Sequence, residues 1–413
     1  MDSTSETNAI PNVAFQSYYK YQHEGDNKME SIGPIGIVET EGAKRFTSLV
    51  NRHLVKRRKT YSKDRENKSA GFIRDNYILN GVINRSATGE ATAVFKDTVR
   101  GHDLFIFLDI LNYSVSYNFY GQQKPMTPDE HYQDLKRLIL AASGKARRIN
   151  VIMPFLYESR QHRRSSRESL DCAYMLEELE NLGVENVITF DAHDPRVANS
   201  TPISGFENIP ISYLLIRALV ENVKDLDLRG DDVVFIAPDE GAIDRVMYYS
   251  SLLHAPLGTF YKLRDFTKVV DGRNPIIAHE FLGDDVSDKT VIIIDDMISS
   301  GDSMLDIAKE MKQRKAKRVI CCSTFGLFVS GLENFDKAYK EGIIDYVFSS
   351  NLIYITPELE SREWFYSIDC SNFVALILDA LNHDASISNL IDQSEKINAY
   401  LDEIEAKKEN INE

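Results

Sequence analysis

Residues 291–303, Val-Ile-Ile-Ile-Asp-Asp-Met-Ile-Ser-Ser-Gly-Asp-Ser, combine the features needed to hold a phosphorylated sugar. The β-branched aliphatic run 291–294 reads as a strand buried on both faces. Asp295 and Asp296 then sit at its carboxyl end, where open α/β sheets bind ligands. Ser299, Ser300, Gly301, Asp302 and Ser303 follow, and a helix begins at 303. Small side chains let backbone N–H groups approach a phosphate, and a helix N-terminus adds a favourable dipole. The two carboxylates before that cradle can accept hydrogen bonds from sugar hydroxyls. The competing reading is a plain strand–turn–helix junction capped by Ser303 or Asp302. The aliphatic run before the pair and the Ser-Ser-Gly-Asp-Ser after it favour the ligand loop. A glycine-rich P-loop is excluded, because no Gly-Lys-Ser/Thr occurs here. The Asp302 carboxylate would repel a phosphate, so it is expected to point away and cap the helix.

Other residue types suited to phosphate chemistry lie far away in the chain. Arg160, Gln161, Arg163 and Arg164 follow an apolar strand and Pro154. A guanidinium can fork onto phosphate oxygens, although some arginines of the 160–167 run must be solvated. His193 ends the strand-terminal segment 188–193, Ile-Thr-Phe-Asp-Ala-His. A lone histidine is more often structural, and its place at a strand end favours function. His162 and His254 have no comparable support. Asp239 lies in 238–241, Pro-Asp-Glu-Gly, and Lys262 and Arg264 follow a strand at 258–261 and precede a long loop.

The elements that must position these groups alternate. Residues 35–38, 92–95, 104–109, 149–154, 186–190, 233–237, 291–294, 318–324 and 346–349 read as strands. Helical patterns occupy 42–55, 132–143, 170–182, 212–223, 242–253, 303–314 and 331–341, and 112–130 reads as a loop. Such alternation implies βαβ units and mostly parallel sheets. A chain of 413 residues exceeds one typical core, so two domains are expected. Residues 1–31 read as a poorly ordered extension, and 56–68 as a basic, solvated insertion. The charged tail after 384 reads as a docked helix with a frayed end.

Composition narrows the class. A net charge of −15 argues against nucleic-acid binding, while a local basic cleft for a small anion remains compatible with it. No apolar run approaches the ~18–20 residues needed to span a bilayer, and residues 1–12 lack a signal pattern, so a cytoplasmic enzyme with no membrane association is expected. Cys172, Cys321, Cys322 and Cys370 lack paired spacing and read as buried thiols, not zinc ligands or disulfides.

The loop at 291–303 resembles the ribosyl-phosphate loop of type I phosphoribosyltransferases and of ribose-phosphate diphosphokinases (PRPP synthetases). The second family is favoured by 150–164, Asn-Val-Ile-Met-Pro-Phe-Leu-Tyr-Glu-Ser-Arg-Gln-His-Arg-Arg, which resembles its strand-Pro-Tyr-x-x-Arg-Gln-x-Arg signature. Residues 188–193 resemble its strand-Asp-x-His signature, and simple phosphoribosyltransferases have neither. Similarity continues through 100–104, 238–241 and 262–264, covering about residues 33–381.

That resemblance implies an α/β fold of two phosphoribosyltransferase-like domains, each a mostly parallel sheet flanked by helices. The expected boundaries are 1–32 for the extension, 33–208 for the ATP-side domain, 209–381 for the ribose-phosphate domain and 382–413 for the C-terminal helix and tail. It implies transfer of diphosphate from ATP to the C1 hydroxyl of ribose 5-phosphate, with Mg2+, in a homo-oligomer built from dimers and extending to a hexamer. Lys262 and Arg264 would be the catalytic cations of a closing loop over 262–279. Glu90, Arg160, Gln161 and Arg163 would bind ATP, with Glu90 reaching the adenine of a neighbouring subunit. Asp239, Asp295, Asp296 and residues 299–303 would bind ribose 5-phosphate, and His193 and Asp239 the metal. Ser86, Thr88 and Leu263 replace the family's Phe, Asp and Arg, and 299–303 departs from the common Asp-Thr-Ala-Gly-Thr. A catalytically silent regulatory homologue and a PRPP-consuming transferase are the alternatives.

Overall fold

The computed structural model describes residues 31–61, 71–164, 167–264 and 276–412, with backbone alone for 262–264 and 276–279. Strand β1 (Ile35–Glu39) precedes the hairpin β2 (Gly81–Arg85) and β3 (Ala91–Phe95). Then come β4 (Asp103–Phe107), a second hairpin β5 (Ser116–Phe119) and β6 (Gln122–Pro125), β7 (Arg148–Ile152), β8 (Asn186–Phe190) and β9 (Gly205–Ile209). The first sheet is five-stranded, in the order β1-β4-β7-β8-β9, and every pair is parallel.

The second half supplies β10 (Val233–Ala237), β11 (Leu257–Arg264), β12 (Ile276–Gly283), β13 (Thr290–Ile298), β14 (Arg318–Gly326), β15 (Tyr346–Ser350) and β16 (Phe365–Ile368). They form a seven-stranded sheet in the order β12-β11-β10-β13-β14-β15-β16, parallel except for the antiparallel edge strand β12. The order reverses between β10 and β13, because successive strands are added leftward from β10 and rightward from β13. Ligands bind beyond the carboxyl ends of strands at such a switch point. Asp239 follows β10 and the Asp295–Asp296 pair lies in the carboxyl-terminal part of β13, so the topology alone puts the two segments side by side.

Alternation across this sheet builds two apolar layers. Val233, Phe235, Ile292, Ile294 and Ile320 face a core that continues under the first sheet. Val234, Ile236, Val291, Ile293 and Val319 face a second core with Phe335 and Trp364. Among the described residues, no helix is long and apolar enough to cross a membrane. All four cysteines are buried and free.

Several expectations change. The 112–130 segment is not a loop, since it contains the β5–β6 hairpin, where Tyr117 and Phe119 alternate with exposed neighbours. The next helix, Pro128–Ala142, starts earlier than its apolar spacing suggested, because Thr127 and Glu130 form a reciprocal capping box. Strands β9, β12 and β16 and the helix Ser371–Asn382 carried no periodic signal strong enough to be singled out. The extension 1–30 and the segment 62–70 lie outside the described residues.

The basic run at 56–59 is not a solvated insertion. It forms the last turn of the helix Lys44–Tyr61, and Arg57 and Arg58 are buried. Arg58 Nε donates to Asp379 Oδ1 at 2.9 Å and its Nη2 to Asn382 Oδ1 at 2.7 Å. Arg57 Nε reaches the other Asp379 oxygen at 3.3 Å. Asn382 also donates to Asp103, which holds Arg148 through two bonds of 2.8 Å. This buried polar network, with its charges paired, pins Ser371–Asn382 onto the first sheet's domain.

Candidate functional site

Strand β13 is longer than its aliphatic run and remains paired with β14 as far as Ile298 and Gly326. Asp295 and Asp296 therefore lie inside a hydrogen-bonded strand rather than beyond it. Each carboxylate turns onto the following backbone: Asp296 N–H donates to Asp295 Oδ1 at 2.8 Å, and Met297 N–H to Asp296 Oδ1 at 2.9 Å. The free oxygen of Asp296 meets His193 from the first sheet, with Nδ1 to Oδ2 at 2.8 Å across 103 residues. That bond needs a proton on Nδ1 and leaves Nε2 for a ligand.

Asp191, two residues earlier, makes a parallel connection. Its Oδ2 accepts from Thr324 Oγ1 of β14 at 2.6 Å and from Ile211 N–H at 3.3 Å. It does so from a left-handed backbone at φ +39°, which bends the chain at the end of β8. The carboxyl end of β8 thus faces those of β13 and β14.

One cation lies beside these carboxylates. Arg245, on the helix Ile243–Leu253 that follows β10, places Nη1 3.9 Å from Asp295 Oδ1. Burial and the adjacent Asp296 charge raise the Asp295 pKa, and Arg245 opposes the rise. Burial also works against the Asp296 carboxylate. The His193 hydrogen bond and the Arg245 charge outweigh it and hold its pKa below the ordinary value. The same hydrogen bond raises His193 against the effect of burial. Asp239 is half-buried and caps the Glu240–Ala242 turn, accepting from Gly241 N–H at 3.1 Å.

The loop after β13 turns at Gly301, which has φ +85° and is the N-cap of the helix Asp302–Gln313. A Cβ there would lie 2.3 Å from Phe335 Cε2, so only glycine fits. The first-turn amides of this helix point out of its N-terminus. Asp302 does not cap the helix as expected: it is the first helical residue, exposed, and the cap is made without a side-chain bond. The cap position is taken by Gly301, which has no side chain, and Asp302 falls one residue inside the helix. Ser299 and Ser300 are half-buried and Ser303 is exposed.

The other candidates are placed as follows. Arg160, Gln161 and Arg163 are exposed on the segment after β7. Glu90 sits at the β2–β3 hairpin tip, bonded to Thr88 and making no bond to the His193 cluster among the described residues. The backbones of Lys262 and Arg264 belong to β11, paired with His279 and Ile276, so they lie within a strand rather than on the loop after it. Their side chains and the 265–275 loop lie outside the described residues.

Sequence reasoning missed Asp191, Arg245, His162 and Thr324. Asp191 belonged to the tripeptide already singled out, and Arg245 lies six residues after Asp239. His162 lies next to Gln161, and its ring centroid is 5.4 Å from that of His193. Nothing local marked Thr324.

Comparison with known proteins gives the family. Residues 35–183 match the family model of the N-terminal domain of ribose phosphate pyrophosphokinase, and 203–352 match the phosphoribosyl transferase domain. A ribose-phosphate pyrophosphokinase from Mycoplasma pneumoniae is 30% identical over 312 residues, covering 74% of this chain and 85% of that protein. One from Clostridium perfringens is 29% identical over 308 residues, covering 73% and 86%. The crystal structure of phosphoribosylpyrophosphate synthetase from Mycobacterium smegmatis superposes with a TM-score of 0.67 at 19% identity, over 85% of this chain and all of that one, a likeness of fold. The two joined domains and the relatives that span both of them identify the chain as a member of the ribose-phosphate pyrophosphokinase family.

Proposed function

We propose that this chain transfers the β,γ-diphosphate of ATP to the C1 hydroxyl of ribose 5-phosphate, releasing AMP and PRPP. The observation that carries the reading is the His193–Asp296 bond. It joins the strand-end histidine of the first domain to the acidic pair of the ribose-phosphate loop. A type I phosphoribosyltransferase would have no use for that junction.

In the reaction, the C1 oxygen attacks the β-phosphorus, the bond between it and the α-phosphate bridging oxygen breaks, and the hydroxyl proton is released. No enzyme nucleophile is needed, so the protein acts by positioning and by placing charge. Asp295 and Asp296 accept from the ribose hydroxyls, and the amides after Gly301, with Ser299, Ser300 and Ser303, receive the 5-phosphate at the helix N-terminus. Arg160, Gln161 and Arg163 hold ATP. Lys262 and Arg264 would meet the diphosphate.

Among the described residues, no group of three or more His, Cys, Asp or Glu side chains comes together to cage a metal. Mg2+ keeps most of its shell as water and phosphate oxygen and takes few protein ligands. His193 and Asp239 would hold it, and when bound it neutralises charge on the transferring phosphates. A dimer-based homo-oligomer, with Glu90 of a neighbouring copy reaching the adenine, belongs to the same reading, as does a cytoplasmic location.

The test is incubation of purified protein with ATP, ribose 5-phosphate and Mg2+, followed by chromatography for AMP and PRPP. Equal amounts of both products are expected, and Asp296→Asn should abolish most of the turnover. Protein that releases no AMP yet co-purifies with an active synthetase would instead be a regulatory homologue.

A further inference from the structure

His162 directly follows Arg160 and Gln161, and both of its ring nitrogens are engaged. Nδ1 lies 3.2 Å from the Ser159 carbonyl oxygen, and Nε2 lies 3.2 Å from Asp194 Oδ2. The ring is almost enclosed, 13% exposed against 8% for Asp194, whereas Arg160 and Gln161 beside it are exposed. The turn it terminates is bent by Glu158 at φ +55° and closed by the Gln161 N–H bond to the Glu158 carbonyl at 2.8 Å. A left-handed non-glycine residue persists where surrounding contacts over-determine it. Asp194 is itself fixed, accepting from Arg196 N–H at 2.9 Å and from the Arg196 guanidinium, and it caps the turn Pro195–Ser200. Its neighbour His193 holds Asp296.

We propose that His162 is a positioning residue for the nucleotide. It clamps the 159–162 turn to Asp194, so that Arg160 and Gln161 are presented next to His193 before ATP arrives. The geometry forms one continuous line, Gln161–His162–Asp194–His193–Asp296, from the ATP side to the ribose-phosphate side. This rests on the proposed diphosphate transfer. A merely structural histidine would affect stability without favouring one substrate, whereas a preorganising one affects ATP selectively.

The test compares His162→Ala with His162→Gln, whose amide can still donate to Asp194. Loss of this polar contact to a charged partner should raise the KM for ATP about tenfold in His162→Ala. The KM for ribose 5-phosphate should stay within about twofold, and His162→Gln should recover most of the loss. Equilibrium titration with trinitrophenyl-ATP, without ribose 5-phosphate, should weaken by the same factor. An unchanged KM for ATP, a parallel rise in both KM values, a Gln variant as impaired as Ala, or an Ala variant that does not fold would overturn the proposal. If wild-type protein releases no AMP, the assignment of the reaction fails, and the titration alone still decides the role of His162.

Discussion

Replacing Gly301 with Ala tests whether the loop after β13 is built for close approach. Two independent costs follow from the structure. The residue has φ +85°, and placing an L side chain in left-handed backbone costs about 1–2 kcal/mol. Its new Cβ would lie 2.3 Å from Phe335 Cε2 and 2.5 Å from Cζ, where carbon atoms prefer ~3.5–4 Å. Phe335 cannot easily yield, because it is fully buried between Trp364, stacked at 5.5 Å, and Phe328 at 5.0 Å. Overpacking of this kind costs roughly 1–3 kcal/mol. The expected sum is about 2–5 kcal/mol, a large part of a typical domain's stability. Relief by shifting the loop would move the helix amides from the phosphate, raising the KM for ribose 5-phosphate by at least about tenfold. The assay is urea unfolding together with ribose 5-phosphate saturation curves. Phe335→Leu separates the two costs, because it removes the clash and leaves the backbone strain. The double variant should be more stable than additivity predicts, by about 1–2 kcal/mol. A loss below about 1 kcal/mol with unchanged KM, or strict additivity in the double variant, would refute the reasoning.

Asp379→Ala leaves Arg57 and Arg58 buried without the carboxylate they share, and should cost about 3–5 kcal/mol. Limited proteolysis should then cleave near Ser371–Asn382 faster than elsewhere; uniform cleavage would contradict the pinning role. Among the described residues Asp109 is buried with no cation bonded to it, its Oδ2 accepting from Tyr354 N–H at 2.7 Å and Oδ1 from Leu111 N–H at 3.2 Å. Burial pushes its pKa up to about 7, against those two bonds. The folded state therefore holds its proton more tightly than the unfolded state. Stability should fall as pH rises from about 4 to about 7 and level off above, by a few kcal/mol in total. The Asp109→Asn variant lacks this slope, so its stability relative to wild type should climb over that window in urea titrations at successive pH values. A constant difference would show that Asp109 stays ionised.

The local features of the site were legible without coordinates. An aliphatic run, an acidic pair and a string of small residues lie within thirteen consecutive positions, so backbone geometry alone constrains what they can build. The alternating strands and helices were legible for the same reason, since burial imposes its period on neighbouring residues. The β5–β6 hairpin was less so, because exposed strands need not be apolar. Meanwhile Arg57 and Arg58 read as surface charge, since their partner Asp379 lies more than 300 residues on.

Sequence alone determined that a loop suited to a phosphate and a strand-end histidine exist, because each is written in a few adjacent residues. Only the tertiary structure decided that they form one site. The His193–Asp296 bond, the Asp191–Thr324 bond and the Arg245 contact each depend on how two sheets face one another. Their strength depends equally on burial, which excludes water and lets a few charges set each other's protonation. Neither orientation nor dielectric is encoded at any single position.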